Sequence, residues 1–231
     1  MDVWVVDLDG GGALEAGPTE EERRRAAALT DAASARRFLR SRLAVRDLLG
    51  RRLGVSPARL RVAYTPSGKP YLPDHPEQHI SWSRSGRLLL AGADDAGPVG
   101  VDIERLRPVP AALDVLASVY PALPVTADPA AFLPAWTLLE AAVKATGRGL
   151  ASGAAEVALA LGPGDAVTLR GISGHGPGTW HGRTELLPAR DGLPAAVTAV
   201  VTRIGEEERG ARHPAVSGRN GSAGTRPALG G

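Results

Sequence analysis

The run Val99-Gly100-Val101-Asp102-Ile103-Glu104 sets two carboxylates at i and i+2 in an apolar, β-prone stretch. Further on, Trp136-Thr137-Leu138-Leu139-Glu140-Ala141-Ala142-Val143-Lys144 sets a carboxylate and an ammonium at i and i+4 in a helix-prone stretch. Alternate residues of a strand face the same way, and residues four apart share a helix face, so Asp102 pairs with Glu104 and Glu140 with Lys144. Three carboxylates meeting in this way could hold one hard cation. Taken alone, each pair also fits a solvated strand face or a surface ion pair. Lysine usage adds a second signal: of 27 basic residues only Lys69 and Lys144 are lysines. Positions that keep lysine in an arginine-biased chain are those where a compact ammonium differs in effect from a planar fork.

The elements that must carry these residues are legible in outline. A strand is predicted at 3 to 8, helices at 19 to 29 and 32 to 53, and strands at 60 to 64, 78 to 83, 87 to 93 and 99 to 104. The last two are joined by the turn-forming Asp94-Asp95-Ala96-Gly97-Pro98 and read as one antiparallel hairpin. A second cycle follows, with helices at 111 to 119 and 130 to 147 and strands at 156 to 161, 166 to 173, 179 to 187 and 194 to 204. Helices followed by antiparallel strands in each half predict an α+β fold. The halves divide as 1–107 and 108–204, and 205–231 reads as a disordered tail of Gly, Ser, Arg and Pro.

Composition narrows the function classes. The chain has 231 residues, 43% of them hydrophobic, and a net charge of +2, which suits a globular protein with a sizeable core. It has no cysteine, which excludes disulfides, thiolate nucleophiles and Cys-type zinc sites and suits a reducing cytosol. No apolar run reaches the roughly 20 residues of a membrane span, and no signal-peptide pattern is present, so a cytoplasmic protein without a membrane partner is expected. Arginines crowd the first quarter, from Arg23 to Arg61, which suits phosphate, an acidic protein surface or simple solvation. The chain has nine aromatic residues and no stacking motif among them, which argues against a nucleic-acid partner.

Four motifs then occur in a distinctive order: Gly68-Lys69-Pro70, His79-Ile80-Ser81-Trp82-Ser83, Gly100-Val101-Asp102-Ile103-Glu104, and Trp136 through Gly147-Arg148-Gly149-Leu150. In order and spacing the chain resembles the Sfp-type 4′-phosphopantetheinyl transferases over about residues 19 to 200, with Arg42 and Arg46 in the segment before the first motif. The resemblance implies two similar α/β halves related by a pseudo-twofold axis, with coenzyme A in the cleft between them. It also implies transfer of phosphopantetheine to a serine of an acyl or peptidyl carrier protein by a monomeric enzyme, with release of adenosine 3′,5′-bisphosphate. By the same resemblance, Asp102, Glu104 and Glu140 would hold Mg²⁺, or Mn²⁺ in its place, with Glu140 and Lys144 catalytic. Coenzyme A contacts would come from Lys69, Arg42, Arg46, Ser81, Trp82, Ser83 and Lys144.

Two departures from the family pattern stand out. Trp82 replaces the histidine between the two serines and offers an indole N–H without charge; it reads as core, with adenine stacking as the alternative. Leu139 replaces a lysine and so is expected to remove a positive charge near the cleft. These departures define an alternative function, a coenzyme A-binding protein weakened in transfer. Less favoured are an arginine-rich nucleic-acid binder and a phosphatase built on Asp7-Leu8-Asp9-Gly10, whose fold would need βαβ crossovers that the strand pattern lacks.

Overall fold

The computed structural model describes residues 1–12, 14–121, 128–162, 166–175 and 178–204. The expected tail at 205–231 lies outside them. The order is β1 (Asp2–Asp7), α1 (Glu20–Ala27), α2 (Ala32–Leu53), β2 (Ala63–Tyr64), β3 (Pro70–Tyr71), β4 (His79–Ser85), β5 (Leu88–Asp94) and β6 (Val99–Arg105). It continues with α3 (Pro110–Val119), α4 (Pro129–Thr146), α5 (Leu150–Gly153), a 3₁₀ turn at Ala154–Glu156, β7 (Val157–Leu161), β8 (Val167–Ile172), β9 (Thr179–Leu187) and β10 (Ala196–Ile204). This mixture is α+β, as the sequence predicts.

Two three-stranded antiparallel sheets carry the fold, ordered β1-β5-β4 and β6-β10-β9. The connectivity of the first recurs in the second: the first strand pairs with the last, and the last pairs with the strand before it. The predicted β5–β6 hairpin is corrected here. Both edges of β5 are taken by β1 and β4, and β6 pairs with β10 instead. Turn residues mark where the chain reverses, but the long-range partner decides the pairing.

At the junction of the sheets, β4 and β6 run in parallel, joined by serine hydroxyls. Ser81 Oγ accepts from the Val101 N–H at 3.1 Å, and Ser85 Oγ accepts from the Arg105 N–H at 3.1 Å.

Helix α2 starts on Asp31, whose carboxylate accepts from the Ala33 and Ser34 amides, and stops at Gly54 with φ 68. Its buried Ala44, Val45 and Leu49 pack on Leu89, Ala91 and Ile80 of the first sheet. Helix α4 is capped by Asp128 and ends at Gly147 with φ 75. Phe132, Leu133, Leu138, Leu139 and Ala142 bury it against Val197, Ala199 and Val201 of the second sheet. Among the described residues no helix is long and apolar enough to cross a membrane.

Helix α1 is fastened to α2 by an ion pair between the half-buried Glu22 and the buried Arg46. Arg46, 6% exposed, donates to both Glu22 carboxylate oxygens, at 2.5 and 3.1 Å, and to the Gly17 carbonyl at 3.0 Å. Glu22 also closes the α1 capping box by accepting from the Thr19 amide at 2.8 Å. Burial alone raises the Glu22 carboxyl, but Arg46 and the Thr19 amide outweigh it and hold the group below its usual 4.5. This stabilisation is complete above the ordinary glutamate range and is lost as pH falls through the lowered folded-state value. Glu22→Gln is expected to cost about 3 kcal/mol at neutral pH and to flatten the acid limb of a stability-against-pH curve, measured by urea denaturation.

Candidate active site

Strand alternation puts Asp102 and Glu104 on the face of β6 that meets β4. Ser83 Oγ donates to Asp102 Oδ1 at 2.6 Å, and Ser85 Oγ donates to Glu104 Oε2 at 2.7 Å. Across from them, Lys144 of α4 donates to Asp102 Oδ1 at 2.5 Å and to Ser83 Oγ at 3.0 Å. Ser83, Asp102 and Lys144 thus close a triangle joining β4, β6 and α4. Glu140, one helical turn before Lys144, is half-buried. Burial, then the Asp102 and Glu104 charges, push its carboxyl up, against a downward pull from Lys144.

The approach of α4 to β6 depends on Gly100. A Cβ at this position would lie 1.9 Å from the Ala141 carbonyl oxygen and 2.4 Å from the Ala145 nitrogen. The helix backbone therefore rests directly on the strand backbone, which brings the Glu140–Lys144 face to Asp102.

A cleft of about 290 Å³ opens beside this centre, lined by Arg42, Lys69, Ser81, Trp82, Glu140 and Lys144. A second cavity of about 640 Å³ shares Arg42, Tyr64 and Trp82 with it. The Arg42 guanidinium lies 4.9 Å from the Phe38 ring, 5.8 Å from Tyr64 and 5.1 Å from Trp82, an array of cation–π contacts. Burial pulls its pKa below the usual arginine value. Trp82 meets Tyr64 edge to face at 6.2 Å. It packs against the first core with one side and lines the cleft with the other.

Arg46 lines only the second cavity, its donors engaged by Glu22 and Gly17. Lys69 reaches the cleft wall, but its ammonium donates to three backbone carbonyls: Val99 at 3.3 Å, Lys144 at 2.5 Å and Ala145 at 2.8 Å. Leu139 corrects an expectation. It is fully buried in the α4 core, so the missing lysine takes no charge from the cleft. The sequence reading missed Tyr64 and Ser85. The alternation Ser81, Ser83, Ser85 was the available signal for the latter.

The donor set can be tested against a hard cation. Among the described residues no three acidic or histidine side chains are gathered tightly enough to enclose an ion. Asp102 Oδ2, however, is buried without a hydrogen-bond partner. A buried carboxylate oxygen left open, on a residue that together with Glu104 lies near enough to raise Glu140, fits a cation that takes one or two protein carboxylates and completes its shell from phosphate and water.

Residues 98–198, which hold Asp102, Glu104, Glu140 and Lys144, match the model of the 4′-phosphopantetheinyl transferase superfamily. The motif resemblance is met in this segment. Among similar proteins, the 4′-phosphopantetheinyl transferase HetI of Nostoc is 33% identical over 143 residues, covering 55% of this chain and 58% of the relative. The 4′-phosphopantetheinyl transferase psf-1 of Bacillus pumilus is 30% identical over 142 residues, covering 59% and 60%. The 4′-phosphopantetheinyl transferase Sfp of Bacillus subtilis is 35% identical over 75 residues, covering 32% and 33%. The chain thus spans between a third and three fifths of the length of these relatives.

Proposed function

We propose that the chain is a Mg²⁺-dependent 4′-phosphopantetheinyl transferase, moving the phosphopantetheine group of coenzyme A onto a serine of an acyl or peptidyl carrier protein. The observation that carries this reading is the open Asp102 carboxylate, which lies with Glu140 and Lys144 inside the matched segment and beside a cleft that Arg42 also lines. The recurrence of sheet connectivity supports two halves related by a pseudo-twofold axis, and the strand pairing favours a division just before β6 rather than after residue 107.

In this reading Asp102, Glu104 and Glu140 would hold Mg²⁺. When bound, the ion neutralises pyrophosphate charge that would otherwise repel a nucleophile. Arg42, Ser81, Ser83, Trp82 and Lys144 bind and orient coenzyme A, with Lys144 presenting its ammonium to the pyrophosphate and Arg42 its guanidinium to another phosphate. Glu140 takes the proton of the carrier serine as its oxygen bonds to the pantetheine-side phosphorus. The bond from that phosphorus to the bridging oxygen breaks, and adenosine 3′,5′-bisphosphate leaves.

Incubation of the protein with coenzyme A, Mg²⁺ and an apo carrier protein tests the proposal. The carrier is expected to gain one phosphopantetheine as one adenosine 3′,5′-bisphosphate appears, and EDTA is expected to stop both. Coenzyme A binding without transfer to any of several acyl and peptidyl carriers would favour the weakened-transferase reading instead.

A further inference from the structure

Lys69 sits in the turn between β2 and β3, where Gly68 has φ 86 and Thr65 Oγ accepts from the Lys69 N–H at 3.0 Å. An ammonium has three donors and no acceptor capacity. Here all three directions are taken by carbonyls, of Val99 at the start of β6 and of Lys144 and Ala145 in the last turn of α4. The last carbonyls of a helix have no partner within it, and a cation beside them is favoured by the helix dipole. The Lys69 stem also covers Gly147, the residue that ends α4: a Cβ there would lie 2.7 Å from Lys69 Cδ. Gly147 thus leaves room for the stem and adopts the left-handed φ of the cap.

We infer that Lys69 is a positioning residue rather than a phosphate ligand: it ties the β2–β3 turn to the end of α4 and the start of β6, fixing Glu140 and Lys144 against Asp102. This inference deepens the proposed transferase reading and rests on it for its kinetic consequence. Its structural consequence is independent of that reading. A phosphate ligand would have donors free to point into the cleft, whereas the Lys69 donors turn onto backbone shared by the two elements that carry the site.

The test uses the full chain carrying Lys69→Met, which keeps a similar stem and removes the ammonium. Hydrogen exchange at the amides of residues 143–147 is expected to quicken by about tenfold or more as the last turn loosens; unchanged exchange would overturn the inference. In the transfer assay, kcat is expected to fall by about 100-fold, the scale of a small misplacement of catalytic groups, while the Kd for coenzyme A by calorimetry stays within about threefold. A Kd weakened tenfold or more with kcat retained would identify a phosphate ligand and overturn the inference. Gly147→Ala, which keeps the ammonium but crowds the Lys69 stem and strains the left-handed cap on which that stem lies, is expected to reproduce the kcat loss. The double variant is expected to lose little more than either single one; fully additive losses would count against a shared strut. Should no transfer be found with any carrier, the exchange result still decides the inference, and the proposed function fails separately.

Discussion

Gly100→Ala is expected to lower stability by about 3 kcal/mol or more, seen as a fall in Tm of roughly 6 to 12 °C, and to remove activity from the fraction that stays folded. The new methyl would lie 1.9 Å from the Ala141 carbonyl oxygen and 2.4 Å from the Ala145 nitrogen, both backbone atoms of a helix buried on several sides. No side chain can rotate away to make room. Relief requires α4 to lift off β6, and this separates Glu140 and Lys144 from Asp102. A Tm within about 1 °C of wild type would mean that the close approach of helix and strand is not what sets the site.

Asp102→Ala is the second large effect. Asp102 is 3% exposed and accepts from both Lys144 and Ser83, so its removal leaves those donors facing a small cavity and takes away the open oxygen of the proposed cation site. Transfer is expected to fall by about 10³-fold or more, the scale set by losing one preorganised charged contact at a reacting phosphate. Stability is expected to change less than for a fully buried pair, because Lys144 keeps 31% of its side chain exposed and can turn to water. Steady-state kinetics beside thermal denaturation separates the two effects; retained kcat in Asp102→Ala would remove this carboxylate from the proposed centre.

Several of these features were legible in the sequence because they depend on local periodicity. Alternation placed Asp102 and Glu104 on one face of β6, and the i, i+4 spacing placed Glu140 and Lys144 on one face of α4. The scarcity of lysine marked Lys69 and Lys144, although it could not tell that one ammonium reaches Asp102 and the other a set of carbonyls. That difference arises from how the β2–β3 turn lies against α4, a long-range arrangement with no local signature. The β5–β6 pairing was misread for a related reason. Both strands are buried along nearly their whole length, and β5 is already flanked by its hairpin neighbour β4 and by the distant β1, which leaves β6 to pair with the distant β10. Arg46 looked like its neighbour Arg42 in an arginine-rich helix, yet one turn of helix separates a buried partner of Glu22 from a guanidinium stacked on three rings. Leu139 looked like a lost cleft charge until its complete burial placed it on the core face of α4.

The intact mass of an apo carrier protein, followed in parallel with the wild-type protein, Glu140→Gln and Lys144→Met in saturating coenzyme A and Mg²⁺, tests the central claim most directly. Wild type is expected to add one phosphopantetheine to each carrier, and both variants to add it at least about 100-fold more slowly while still binding coenzyme A. Labelling by either variant at the wild-type rate would contradict the assignment of the transfer centre to the junction of β6 and α4.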